Sequence, residues 1–200
     1  MKKVMAVIVS LVAVFAILVF YKNYSTESIK NNIETKTDEN NIEIIDAKSD
    51  GFDNLKELEN GSPIIVSGVK EKDIKIEIFR SEINGEINAG YTLSDFKIKT
   101  VYKNNVKDSN IKPGGNITIL ESAFKDKKTN KVYSVNGYKN MNDNEKYLLF
   151  LQPEEDGSYA TRAVHYGKVP LETIELELYS DSKSNTLNKI FDEAKEKYKY

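Results

Sequence analysis

The 200-residue chain contains no cysteine and only one histidine, His165. The first absence removes disulfides, thiolate nucleophiles, cysteine-based zinc sites and lipid attachment through an N-terminal cysteine. The second leaves transition metals short of the imidazole ligands they favour. Charge of one sign is also missing. Lysine and arginine number 29 against 31 acidic residues, well mixed, for a formal net charge of −2. That is not the one-sided field of a dedicated nucleic-acid binder. No G-x-S-x-G accompanies His165, so a serine-histidine-acid triad lacks its nucleophile turn. The Gly114-Gly115 pair lacks the G-x-x-x-x-G-K-[ST] spacing and leads into a strand pattern, so it reads as a turn and not a phosphate loop. No catalytic residue, metal ligand or cofactor follows from the sequence.

What the chain does have begins at its N-terminus. Lys2 and Lys3 precede Val4–Tyr21, an uncharged run with only Ser10 as a polar interruption. Eighteen residues at 1.5 Å each span about 27 Å, close to the hydrocarbon thickness of about 30 Å. The leading expectation is an uncleaved transmembrane anchor over residues 1–21, with the N-terminus cytoplasmic and the rest extracellular by the positive-inside rule. The alternative is a cleaved signal peptide, since Val14 and Ala16 offer small residues within the run. Residues 22–49 are polar and lack useful apolar periodicity, so they read as a flexible tether with a root-mean-square reach of about 30 Å. Within it, Asn41–Ile45 is a candidate edge strand.

Residues 50–200 carry the pattern of one domain. Asp53 as N-cap, Leu55 and Leu58 on one face, and Gly61 as a stop predict a short helix. After Pro63 the period becomes two. Ile64–Val69 is a compact β-rich run, and Ile74, Ile76 and Ile78 alternate with Lys75 and Glu77. Asn84-Gly85 predicts a type I′ hairpin, which needs positive φ at both central residues. Tyr91 and Leu93, then Phe96 and Ile98, change phase near Ser94-Asp95, as a β-bulge would require. Pro113-Gly114-Gly115 turns into a strand with Ile117 and Ile119 inward. Asn136-Gly137 and Asp156-Gly157 are further turn signals. Ser158–Tyr166 reads as a strand carrying His165 at the surface or half-buried. Thr173–Tyr179 alternates Ile174, Leu176 and Leu178 with Glu175 and Glu177, so Glu172, Glu175 and Glu177 read as an acidic solvent face. Leu187, Ile190, Phe191, Ala194 and Tyr198 form one helical stripe. Seven or eight short strands with these flanking helices imply a mainly β fold, a small antiparallel barrel or sandwich.

Several stretches carry a resemblance as well as a pattern. Pro63–Lys70 ("PIIVSGVK"), Tyr91–Asn104 ("YTLSDFKIKTVYKN"), Lys112–Glu121 ("KPGGNITILE") and Asn144–Tyr159 ("NEKYLLFLQPEEDGSY") resemble, in order and arrangement, a group of largely uncharacterised exported or membrane-anchored proteins of Gram-positive bacteria. The resemblance spans about 130 residues. It departs at Asn144-Glu145, where such proteins often have a glycine before the strand. It implies an OB-like β-barrel outside the membrane and carries over no functional residue.

Two oxygen-rich segments invite a cation, Asn142–Glu145 and Glu154–Asp156, but neither has the D-x-[DN]-x-[DN]-G order of a calcium loop, and both read as solvated turns. Aromatic and basic residues are the better candidates. Tyr133, Tyr138, Tyr159, Arg162 and Tyr166, with Lys131, Lys139 and Lys168 among them, would line one barrel face of the kind that stacks rings. Tyr147–Leu151 cannot alternate between core and water, so both faces of that strand must be covered, one by the barrel interior and one by the C-terminal helix. The function expected is a membrane-tethered, extracytoplasmic binding or interaction module of the cell envelope, without catalysis. Its partners would be the membrane, through Val4–Tyr21, and an envelope protein, peptide or glycan; nucleic acid is not expected. The alternatives are an envelope hydrolase using carboxylates and a secreted factor released by signal cleavage.

Overall fold

The computed structural model describes residues 36–37, 41–173, 176–179 and 185–198. The Val4–Tyr21 run and residues 22–35 lie outside the described residues. Among those described, no helix is long and apolar enough to cross a membrane. The fold is mainly β, with ten strands and two helices among the described residues. In chain order these are β1 (Lys36–Thr37), β2 (Ile42–Ile45), α1 (Leu55–Gly61), β3 (Ile64–Arg80), β4 (Ile87–Asn104) and β5 (Asn116–Glu121). There follow β6 (Ala123–Asp126), β7 (Lys131–Val135), β8 (Lys146–Pro153), β9 (Tyr159–Thr161), β10 (Lys168–Pro170) and α2 (Asn185–Lys197).

Five strands close into a ring. β3 pairs antiparallel with β4, β4 with β5, β9 with β8, and β8 with β3, while β5 runs parallel to β9. The order round the ring is therefore β3-β4-β5-β9-β8. β10 shares an edge of β8 with β9: Lys168–Pro170 lies against Tyr147–Leu149, and Tyr159–Thr161 against Leu151–Pro153. A second sheet, β1-β2-β7-β6, branches from the end of β5. Its β1 and β2 fall within the stretch whose polarity reads as tether. β2 is a strand because β7 offers it a parallel edge, from Ile42 against Val132 to Ile45 against Val135, and Ile42 is buried there.

Two hydrophobic clusters explain the unbroken burial of Tyr147–Leu151. Tyr147, Leu149 and Leu151 point into the ring, with Ile64, Val66, Phe96, Ile98, Ile117 and Ile119. Leu148 and Phe150 point outward under Leu55 and Leu58 of α1 and Leu187, Ile190, Phe191 and Ala194 of α2. The stripe read from the sequence is the face α2 buries, and Tyr198 extends it, its ring 4.8 Å from Tyr102 and 6.0 Å from Phe150. At Gly68 a Cβ would collide with the Lys97 carbonyl oxygen, so only glycine lets β3 and β4 approach this closely.

Several local expectations are corrected. The cap of α1 is Asn54, not Asp53. Asn54 is extended and its Oδ1 accepts the Glu57 N–H at 3.0 Å, while Glu57 accepts the Asp53 N–H at 3.1 Å and the Asn54 side-chain amide at 2.9 Å. The Asn84-Gly85 turn is not type I′, since only Gly85 of the pair has positive φ. Ser81 instead closes a wider loop: its carbonyl accepts the Gly85 N–H at 2.9 Å, its N–H donates to the Glu86 carbonyl at 2.8 Å, and its hydroxyl accepts from Ile83 and Asn84. Asn136 and Gly137 do both have positive φ, 52° and 78°. The expected bulge lies on β3 and not β4. Lys70 opposes Phe96 while Lys72 opposes Asp95, and Asp73 opposes Ser94 while Lys75 opposes Leu93, which leaves Glu71 and Ile74 as extra residues. Between Thr92 and Ile98 β4 keeps one phase, with Thr92, Ser94, Phe96 and Ile98 all buried. Of the expected strand Thr173–Tyr179, residues 174 and 175 lie outside the described residues, and Leu178 makes a single bridge to Tyr138.

Candidate functional site

Thr92 and Ser94 can face inward because one end of the ring has a polar interior. Ile117, Ile119 and Glu121 alternate along β5, which brings the Glu121 side chain fully into the core. Its carboxylate accepts from the Ser94 hydroxyl, from the Met141 N–H at 2.6 Å and from the Tyr138 hydroxyl at 3.2 Å. Lys168, from β10, lies 4.7 Å from the centre of the Tyr138 ring. Its ammonium donates to the Lys139 carbonyl and pairs with Glu177 at 3.0 Å. Glu177 also accepts the Tyr147 hydroxyl at 3.0 Å. Lys70, on β3, donates to the Met141 carbonyl at 3.0 Å and pairs with Asp73 at 2.7 Å and Asp143 at 2.5 Å.

Burial sets the electrostatics of this group. It pushes the Glu121 carboxyl up, against the opposing pull of Ser94, the Met141 N–H and the nearby lysines. Burial also pushes the Lys168 ammonium down, with Glu177 opposing. It raises the Tyr138 phenol well above its usual value, with Glu121 adding to the effect. At Lys70 burial opposes charge, yet the Asp143 and Asp73 carboxylates together hold the ammonium above the ordinary lysine value. Glu121, Glu177, Lys168, Tyr138 and Tyr147 are all buried. Carboxylates do converge here, as a hydrolase would need, in a buried interior where Glu177 pairs with Lys168 and Glu121 is held by hydrogen bonds from Ser94, Tyr138 and Met141. The cluster's contacts tie Tyr138, Lys139, Met141 and Asp143 to the end of the ring.

Glu177 was expected on an acidic solvent face, and the structure corrects this. Lys168 supplies the counter-charge that lets it turn inward. Glu172 does sit at the surface, paired with Lys146 at 2.7 Å, and Glu175 lies outside the described residues. The oxygen-rich turns are used internally. Asp143 meets Lys70, and Asp156 accepts from the Ser158 N–H at 2.9 Å and its hydroxyl at 2.6 Å. Among the described residues, no three His, Asp or Glu side chains converge to hold a metal ion.

The five aromatic and cationic candidates do not share one face. Tyr138 is inside the polar cluster. Tyr159 is buried, and its hydroxyl donates to Asp108 at 2.5 Å, which together push its phenol up. Tyr133, on β7, stacks on Phe124 at 5.2 Å and 11°. Only Arg162 and Tyr166 come together, around Phe52: the guanidinium carbon lies 5.9 Å from the Phe52 ring centre and the Tyr166 ring 5.8 Å edge-on. They stand, with His165, on a loop of residues 162–167 and not on the strand expected there.

A different surface is open. The distal halves of β3 and β4 run on as a hairpin past the ring. One side of it is covered: Arg80 pairs with Asp126 of β6 at 2.8 Å, and a Cβ on Gly90 would come 2.7 Å from the Phe124 ring. The other side carries Phe79, opposite Ala89, and Tyr91, opposite Glu77, with the two rings 5.9 Å apart. Phe79 is 51% exposed, Ile74 49% and Ile83, at the tip, 97%. Burial, then Glu77 and Asp156, raises the Tyr91 phenol. Compared with models of known protein families and with curated proteins, the chain matches none.

Proposed function

We propose that the chain is a membrane-tethered, extracytoplasmic interaction module of the bacterial cell envelope, non-catalytic, that captures a polypeptide partner on the outer face of the β3–β4 hairpin. The observation that carries this reading is the exposure of Ile74, Phe79 and Ile83 together on one projecting hairpin. Single exposed apolar residues are ordinary; three along one hairpin, with Phe79 beside Tyr91, favour an interaction surface. Aliphatic side chains interspersed with Lys75, Glu77 and Glu82 suit a polypeptide with its own apolar anchors better than a sugar polymer.

The barrel is read as OB-like. Five strands in the ring order β3-β4-β5-β9-β8, closed by a parallel β5–β9 pair, support it. In barrels of that kind the loop between the first two strands and the loop between the last two flank the binding face. Here those are the hairpin and the Glu154–Ser158 turn. The tether reading rests on the Val4–Tyr21 run and its preceding lysines.

The test places a photoreactive residue at position 83 of the full chain in its native membrane, with position 56 on α1 as control. The expected result is a discrete polypeptide adduct from position 83, lost when Phe79→Asp is added. Equal labelling from both positions, or an adduct made only of glycan, would overturn the assignment.

A further inference from the structure

The loop 162–167 leaves β8 at one residue. The Arg162 N–H donates to the Phe150 carbonyl, and the Phe150 N–H to the Gly167 carbonyl, both at 2.9 Å. Between these anchors Ala163 and Val164 both adopt positive φ, 46° and 62°. For a β-branched residue that conformation is a real outlier, and such strain gathers at functional sites. The Thr161 hydroxyl holds it by donating to the Val164 carbonyl.

Arg162 is one of only two arginines in the chain. The other, Arg80, is ion-paired with Asp126. Arg162 is half-buried, yet no carboxylate among the described residues lies within ion-pair distance of it. Its Nη1 donates to the Gln152 side-chain oxygen, and Gln152 in turn donates to Glu154 at 3.0 Å. Its Nε is enclosed and has no acceptor, and the Nδ1 of His165, three residues on, is likewise buried without a partner. Buried polar atoms of this kind are rare and call for a missing partner.

We propose that Arg162, set over Phe52 beside the stacked rings of Tyr166 and His165, is a subsite for a carboxylate carried by a ligand. With Nη1 spent on Gln152, the guanidinium edge that remains is Nε with Nη2, the planar fork that matches the two oxygens of a carboxylate. A single negative charge suits the site. His165 stacks on Tyr166 at 5.1 Å and is held toward the neutral form by burial and by Lys168, whose own ammonium is engaged by Glu177. One unpaired cation would not balance a phosphate dianion. Because Nε is covered, binding must displace side chains around it, so the ring of His165 will report occupancy. This site is separate from the hairpin and stands or falls independently of the function proposed for it.

His165 is the chain's only histidine, so its ring resonances in the full chain, labelled at histidine and held in detergent micelles, form a one-site probe. The probes are glucuronate for a sugar acid, N-acetylalanine for a peptide terminus, and glucose as the neutral control. Saturable shifts with one or both carboxylates, half-complete in the millimolar range, and none with glucose are expected. Which carboxylate binds tighter assigns the source. Arg162→Gln should abolish the shift, and Arg162→Lys, which keeps the charge without the fork, should weaken it about tenfold. No shift from either carboxylate up to about 50 mM, or an undiminished shift in Arg162→Gln, would overturn the site.

Discussion

Replacing Lys168 by methionine tests whether the polar end of the ring is held as the geometry implies. Lys168 is 2% exposed, and its ammonium meets the Glu177 carboxylate at 3.0 Å and the Lys139 carbonyl. Methionine fills a similar volume but removes the charge. Among the described residues Glu177 would then keep the Tyr147 hydroxyl at 3.0 Å and the Asn142 side-chain amide at 3.3 Å, and the buried Glu121 would lose a neighbouring cation. Leaving one member of a buried pair uncompensated costs about 3–5 kcal/mol. Since domain stabilities are roughly 5–15 kcal/mol, this loss would bring the protein near its unfolding threshold. Lys168→Met/Glu177→Gln removes both charges, so it should cost less than the two single losses added, with a coupling of about 1–3 kcal/mol. Urea unfolding of Thr35–Tyr200, which contains both hydrophobic clusters, would be followed by far-ultraviolet circular dichroism. A single-variant loss under about 1 kcal/mol, or strict additivity in the double variant, would refute the reasoning.

Two further outcomes follow from other parts of the fold. Phe150→Ala empties the centre of the outer cluster beneath α1 and α2 and should cost about 3–5 kcal/mol; an unchanged urea midpoint would show that α2 does not cover β8 as described. Arg80 beside Asp126 holds that carboxyl down to about 2 from the ordinary 3.8. Across that window the unfolded chain takes up a proton that the folded protein refuses, so stability should fall as pH drops from about 4 toward 2. Asp126→Asn should flatten this acid slope, and urea midpoints measured at successive pH values check it.

Much of the fold is legible in residue order. Period-two runs mark β3, β4 and β5, glycine turns close the chain at Gly114, Gly137 and Gly157, and the stripe from Leu187 to Ala194 is the face α2 buries. The unbroken run Tyr147–Leu151 already demands cover on both sides. These features are local, set by propensity and by the spacing of side chains along a strand or helix. The interior at the polar end is not local. Ser94 hides there because Glu121 accepts its hydroxyl, Thr92 because the Ala123 carbonyl does, and Glu121 can be there because Met141, 20 residues on, supplies an N–H. The clue was the position of Glu121 in phase with Ile117 and Ile119, which a reading by hydrophobicity alone passes over.

The binding surface shows the same division. Tyr133, Tyr138, Tyr159, Arg162 and Tyr166 are alike in the sequence, but the structure puts two of the tyrosines in the core, stacks Tyr133 on Phe124 and leaves Arg162 and Tyr166 together beside Phe52. Ile74 reads as a core residue until the bulges of β3 carry the hairpin past the ring and leave it exposed. By itself the sequence determined which segments become strands and helices and which chemistries are absent. Tertiary structure alone decided which polar groups are buried and which apolar ones are not, because the burial of a charge depends on partners brought from distant segments of the chain.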